Sequence, residues 1–286
     1  MSVTIRDVSD TALWAAVYRA RENEHPRPIF RDPFARNLAG TRGVEIAAQM
    51  PFSEKNAWSW VTRTYLFDRF IDARVRDGVE TVLNLGAGLD TRPYRAHLPP
   101  ALRWIEVDLP GLIDYKERCL AGEKPSCHLE RIRLDLADVA ARCALFRRIA
   151  DQGRRVLIIT EGVMTYLTAV QAAELADNLS AQPTFREWVL DLASPGLLRM
   201  LQKNVAAQLR SGGAALQFAP AEGAAFFEPH GWVSTDIQGL MKTAVRLRRA
   251  PLLMRLLNLL PEPRVIPPSR PWAGVCLLTR WPVELD

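Results

Sequence analysis

The stretch Val82-Leu83-Asn84-Leu85-Gly86-Ala87-Gly88-Leu89-Asp90-Thr91-Arg92 limits what this chain can fold into more than any other. Apolar residues run into a Gly-x-Gly turn, and a helix-compatible segment follows. That order describes a strand ending in a tight bend, where missing Cβ atoms leave room for a ligand against the main chain. A second apolar run, Trp104-Ile105-Glu106-Val107-Asp108, closes on a carboxylate twenty residues beyond Gly88. An acid at the tip of the second strand is placed to accept hydrogen bonds from both hydroxyls of a ribose. Alone, the turn equally describes an ordinary tight bend. Taken together, Gly86, Ala87 and Gly88 with Asp108 and the adjoining Leu109 predict a site for an adenosine-containing cofactor.

Two cofactor classes fit. Dinucleotides usually want Gly-x-Gly-x-x-Gly, whose third glycine lets the helix approach the strand and offer its N-terminus to a pyrophosphate. Here Thr91 holds the third position, flanked by Asp90 and Arg92. A carboxylate beside the turn repels a pyrophosphate. It suits S-adenosyl-L-methionine, which has no phosphate and carries a sulfonium and an ammonium. An NAD(P)-dependent oxidoreductase is the second reading, and a non-catalytic Rossmann-like binding module the third.

The chain has 286 residues, 48% of them hydrophobic, which suits one large α/β domain or one domain with an appended cap. Its net charge of +5 is spread without a long basic run, so no nucleic-acid surface is expected, while an anionic small substrate suits the field. The cysteines at 119, 127, 143 and 276 form no C-x-x-C pair, and no histidine completes a zinc pattern, so no metal is expected. Scattered thiols and an N-terminus without an apolar run predict a cytoplasmic chain with no membrane segment. A monomer or homodimer acting on a small-molecule acceptor is the expectation.

Helical spacing marks 8–24, with Ser9 or Asp10 as cap, then short helices at 33–39 and 43–49 and a long one from Ser53 to Arg76, on which Trp60, Thr64, Phe67 and Ile71 share a face. Residues 1–79 thus read as an N-terminal helical cap and 80–286 as a Rossmann-like core. Strand patterns at 80–86, 103–108, 128–135, 155–160 and 187–192 alternate with helices at 90–97, 110–121, 137–151, 168–180 and 195–210. The alternation predicts a mostly parallel sheet with helices on both faces and all parallel strand C-termini at one edge. Ser211–Gly213 reads as a loop, while 231–237 and 273–281 supply sixth and seventh strands. Between them 241–271 reads as a lid insertion, made of a leucine- and arginine-rich stretch from Met241 to Leu260, amphipathic or else a membrane-surface helix, and the proline-dense Pro261–Pro271.

Further acids close the later strands. Asp135 ends the third and can accept from an adenine amine while Leu136 contacts the ring face; alternatively it caps the helix that follows. Glu161 ends the fourth, where a carboxylate gains Coulomb energy against a sulfonium and an ammonium. Tyr166, one turn on, lines the acceptor pocket or serves the core. Arg63 can grip the cofactor's carboxylate bidentately, or stand as a solvated surface residue. His97 and His128 are isolated, and His230 is the one candidate base.

Several motifs in fixed order resemble the leucine carboxyl methyltransferase superfamily, in particular its bacterial small-molecule branch. They include Ser9-Asp10-Thr11-Ala12-Leu13-Trp14 with Arg19-Ala20-Arg21, Phe30-Arg31-Asp32-Pro33-Phe34-Ala35 and Arg63-Thr64. The order continues through Leu85–Arg92, Glu106-Val107-Asp108-Leu109-Pro110, Asp135-Leu136 and Glu161-Gly162-Val163-Met164-Thr165-Tyr166-Leu167, with a looser echo in Trp272-Ala273-Gly274-Val275. The resemblance implies a class I methyltransferase fold with a seven-stranded sheet, using S-adenosyl-L-methionine. It implies that Arg63 holds the cofactor carboxylate, the glycine turn the methionyl part, and Asp108 and Asp135 the ribose and adenine. By the same resemblance Glu161 and Tyr166 border the transfer site. The expected activity is O-methylation of a carboxylate or acidic hydroxyl on a small metabolite of polyketide or other natural-product type.

Overall fold

In a computed structural model, the structure describes residues 5, 7, 9–50, 56–210, 214–252, 254 and 268–281, with side chains for all of these but 205–210. Seven strands form one sheet in the order β3-β2-β1-β4-β5-β7-β6. They are β1 (Thr81–Leu85), β2 (Arg103–Asp108), β3 (His128–Arg133), β4 (Val156–Thr160), β5 (Phe185–Ala193), β6 (Trp232–Gly239) and β7 (Ala273–Arg280). Strands β1 to β5 pair in parallel, while β7 runs antiparallel to both neighbours. This is the class I methyltransferase sheet. The strand order reverses between β1 and β4, and ligands bind beside such a switch point.

Alternation along the strands explains the layering. Val156 and Ile158 of β4 join one core with Leu83, Leu85, Phe146, Leu175 and Trp188. Leu157 and Ile159 point the other way, to Val82, Trp104, Val189 and the helix residues Phe67, Phe70 and Ile71. With both faces covered, β4 is apolar at four of its five positions and β1 at three of five, and both are buried throughout.

The first face is covered by α6 (Val139–Ala150) and α7 (Ala169–Ser180), the second by α3 (Ala57–Arg76) and α9 (Leu240–Arg246). Helix α7 begins on a capping box in which Thr168 and Gln171 satisfy each other's backbone donors. The expected helix from Ser53 starts at Ala57, and 53–55 lie outside the described residues. Ahead of it, α1 (Ser9–Glu22) and α2 (Ala35–Gln49) pack together with α5 (Pro110–Cys119) around Val17, Leu38 and Leu112. Asp7 accepts from Ser9 N at 2.8 Å, whereas the expected cap Asp10 pairs with Arg42 at 2.7 Å. The two short helices expected at 33–39 and 43–49 form one element bent at Gly40, whose φ is 56°. The expected helix at 90–97 shortens to α4 (Arg92–Arg95), and α8 (Pro195–Arg210) follows β5.

Among the described residues no helix is long and apolar enough to cross a membrane. The expected loop at 211–213 and part of the expected lid, 253 and 255–267, lie outside the described residues.

Candidate active site

The carboxyl edge of the parallel strands opens onto a cavity of about 840 Å³, within the range of small-molecule sites. Its wall includes Gly86, Ala87 and Gly88, and the turn they form is built for glycine. Gly86 has φ 64° and Gly88 φ 50°. The amides of Gly86 and Ala87 both donate to Val107 O, at 2.9 and 3.1 Å. A Cβ on Gly86 would lie 2.5 Å from Val163 Cγ2, so the turn is pressed against the loop after β4. On the other side, Ala12 of α1 stands 3.4 Å from where a Gly88 Cβ would be.

Asp108 joins this turn to the second strand. Its Oδ2 accepts from Gly88 N at 2.6 Å and its Oδ1 from Leu109 N at 2.7 Å. Each oxygen keeps a further lone pair, and Asp108 lines the cavity, so the carboxylate can accept from a ribose diol. Burial pushes the Asp108 carboxyl above the usual range, and the two backbone donors only partly offset it. Leu134, Asp135 and Leu136 line the same end of the cavity. Asp135 Oδ1 accepts from Ala137 N at 2.9 Å in a local turn, whereas the cap of α6 is Asp138, which accepts from Ala141 N at 3.0 Å. Capping therefore does not explain Asp135.

Where β1, β4 and β5 diverge, two guanidinium groups sit among carboxylates. Arg63 Nε lies 3.2 Å from Glu161 Oε1, and its Nη1 lies 3.2 Å from Asp191 Oδ2. The Trp60 ring backs this guanidinium at 4.8 Å. Gly162 permits the approach, because a Cβ there would lie 3.1 Å from Arg63 Nη1, and its amide donates to Asp191 Oδ1 at 2.6 Å. Arg63 is thus a partly buried member of the site, and the surface alternative is excluded. Arg92 reaches the other Glu161 oxygen at 2.8 Å while pairing with Asp90 at 2.8 Å and Asp68 at 2.6 Å. Burial alone would raise the Asp90 carboxyl. Arg92, then Lys116 and Arg95, outweigh that and hold it at about 2. Asp191 is pushed upward by burial, which Arg63 and the Gly162 amide offset only in part.

Tyr166 ends the short 3-10 turn Met164–Tyr166 and lines the cavity. Burial raises its phenol, with the Thr11 hydroxyl and then Arg63 opposing, so it is a neutral hydrogen-bonding group at neutral pH.

His230 is elsewhere. It ends the 3-10 segment Gly223–His230 just before β6, and its Nδ1 lies 2.7 Å from Asp177 Oδ1 on α7. Because β6 begins at the amino edge of the sheet, opposite Arg280 at the end of β7, the imidazole is remote from the carboxyl-edge cavity. It is withdrawn as a candidate base. Asp191, Arg92 and Thr11 are the site residues that sequence reasoning had not assigned. Asp191 carried the same signal as Asp108 and Glu161, an apolar run closing on an acid. Arg92 and Thr11 lie within motifs quoted for the resemblance, but no role was assigned to either.

A family model described as leucine carboxyl methyltransferase matches residues 12–180. A protein of Mycolicibacterium smegmatis, named as a candidate S-adenosyl-L-methionine-dependent methyltransferase, is 32% identical over 191 residues, covering 61% of this chain and 63% of that one. A Mycobacterium ulcerans protein with the same description is 30% identical over 212 residues, covering 66% and 61%. The alignments thus span under two thirds of these relatives' lengths. Among solved structures, a candidate methyltransferase of Thermobifida fusca superposes with a TM-score of 0.60 at 17% identity, covering 97% of this chain and 96% of that one. A DUF574 family protein of Streptomyces avermitilis gives 0.61 at 13%, covering 94% and 97%, and both likenesses concern the fold. With the motif order, the sheet and the family model in agreement, the chain belongs to the leucine carboxyl methyltransferase family.

Proposed function

We propose that this chain is an S-adenosyl-L-methionine-dependent O-methyltransferase whose acceptor is a carboxylate or acidic hydroxyl of a small metabolite, of polyketide or other natural-product type. One arrangement carries the reading: a main-chain cradle and ribose-type acid at one end of a single cavity, with the Arg63–Glu161–Asp191 cluster beside it. Arg63, Arg92 and Arg95 stand against Asp68, Asp90, Glu161 and Asp191, so the cluster carries one excess negative charge when all are ionised. That excess complements a cofactor with two cationic groups and one carboxylate.

In this reading Asp108 holds the ribose, Asp135 the adenine edge and Leu109 and Leu136 its faces. Arg63 receives the cofactor's carboxylate, while Glu161 and Asp191 receive its ammonium. When bound, the cofactor supplies an electrophilic methyl group with a neutral thioether leaving group. Alignment of the acceptor is then the main task left to the protein, and it can supply roughly 7–11 kcal/mol of barrier lowering in favourable cases. Tyr166, held by Thr11, offers its hydroxyl at the border with the acceptor space.

The oxidoreductase reading is disfavoured by the start of α4. Asp90 Oδ1 accepts from Arg92 N at 2.9 Å, so a carboxylate occupies the position a pyrophosphate would need. Incubating native extract and enzyme with isotopically labelled cofactor, then finding the labelled product by mass spectrometry, tests the proposal. A methyl ester or ether is expected, and absence of any labelled oxygen-methyl product would refute O-methylation.

A further inference from the structure

The chain's charge forms no long basic run, yet it is not evenly shared. Residues 1–191 hold 26 Lys and Arg against 26 Asp and Glu, while 192–286 hold eleven against six. The whole net charge of +5 therefore lies after Asp191, an asymmetry that points to a polyanionic surface as partner. No acid occurs from 192 to 221 or from 237 to 261. These stretches carry α8 and α9, so the cations on both helices lack an acid on their own element.

The sheet brings these elements to one corner. Ala193 at the end of β5 is opposite Ala273 at the start of β7, and Gly239 at the end of β6 is opposite Gly274. Helix α8, helix α9 and the approach to β7 thus all leave the carboxyl edge together. Ser194 joins two of them: its Oγ donates to Arg270 O at 2.6 Å and accepts from Trp272 N at 2.9 Å. Met200, Met241, Met254 and Arg270 all line the one cavity, which keeps their segments adjacent. Arg199 and Lys203 on α8, Lys242 and Arg246 on α9, and Arg270 are exposed. Among them stand two large apolar side chains turned to solvent, Leu252 at 73% and Met200 at 39% exposure. The position of Leu252 is fixed by its neighbours, since Ala250 is buried and Arg249 pairs with Glu22 of α1 at 2.6 Å.

We propose that this corner is a membrane-docking face, at which an anionic phospholipid surface meets the exposed cations while Leu252 and Met200 enter the boundary between headgroups and acyl chains. Each Lys or Arg close to an anionic lipid surface strengthens binding by about fivefold, an effect that falls off within a Debye length. Apolar tips between the cations add a contribution that salt does not screen. A nucleic acid answers the cations alone and leaves the leucine and methionine without an apolar partner. Docking of this kind needs no spanning helix. It is also separate from methyl transfer, since Arg199, Lys203 and Leu252 stand outside the cavity wall.

The test is co-sedimentation of the intact chain with phosphatidylcholine vesicles, plain or containing about a third phosphatidylglycerol, at about 0.1 M and about 0.5 M salt. The anionic vesicles should bind at least about twentyfold more tightly than the neutral ones, and the higher salt should remove most of that gain. Arg199→Glu combined with Lys203→Glu should weaken anionic binding by at least about twentyfold. Leu252→Asp should weaken it by about tenfold. Thermal melts of both variants should match the parent chain, which separates a lost surface from a lost fold. A DNA duplex and polyaspartate serve as soluble polyanions in competition. No preference for the anionic vesicles, or a Leu252→Asp variant that binds them as the parent does, overturns the membrane assignment. Tighter binding to the duplex or to polyaspartate than to the anionic vesicles also overturns it and gives the corner to a soluble partner.

Discussion

Two carboxylates from different strands and an indole from its own helix hold the Arg63 guanidinium, so removing it leaves Glu161 and Asp191 short of a counter-charge. Arg63→Ala should cost about 3 kcal/mol in urea unfolding and weaken cofactor binding by at least about tenfold. Adding Asp191→Asn should recover part of the stability, because the two side chains share one interaction; strictly additive losses would show that they do not. Asp108 ties its chemistry to pH. A ribose diol donates to the ionised carboxylate, whose folded-state value burial has raised. Cofactor affinity should therefore be full above that raised value and fall as pH drops through it, in calorimetry across the acidic range. Asp108→Asn should flatten the profile. The Asp90 carboxyl is shifted the other way. Its carboxyl is held at about 2 against an ordinary value of 3.8, so its contribution is complete above 3.8 and disappears as pH falls toward 2. The size is about 2 kcal/mol. Denaturant midpoints between neutral and strongly acidic pH should decline less steeply in Asp90→Asn than in the parent chain.

At the scale of elements, the glycine turn is the piece most exposed to a single change. Gly86→Ala meets both a left-handed backbone and a methyl contact at 2.5 Å from Val163, and should destabilise by more than about 1 kcal/mol. Val163→Ala should rescue only part of the loss, since it relieves the contact and leaves the backbone strain; full rescue in thermal melts would assign the whole cost to crowding. Strands and helices were legible because burial on both faces writes long apolar runs and the helices between them write their own period. Asp108 was legible for the same reason, as an acid ending such a run, and Asp191 was equally readable by that rule. His230 was misread because it precedes the start of a strand, and ligands gather where parallel strands end. The roles of Arg92 and Thr11 depend on partners far along the chain, Asp68, Glu161 and Tyr166, and local pattern cannot reveal them.

For the molecule as a whole, the sheet order places one cavity across β1, β2, β4 and β5 with polar, charged groups at one end and apolar ones at the other. The helices α1 and α3, both ahead of the first strand, contribute Ala12, Thr11, Trp60 and Arg63 to its wall, so both helices take part in building the cavity. A ligand that binds this folded assembly and not the unfolded chain should raise stability by about 2.7 kcal/mol at a hundred times its dissociation constant. Calorimetric titration of the intact chain with S-adenosyl-L-methionine and with NAD, repeated on Asp108→Ala, addresses the central claim most directly. The expected result is one site for the sulfonium cofactor, none for NAD, and an affinity at least about 100-fold weaker in the variant. Tight NAD binding, or S-adenosyl-L-methionine affinity unchanged by the loss of Asp108, would contradict it.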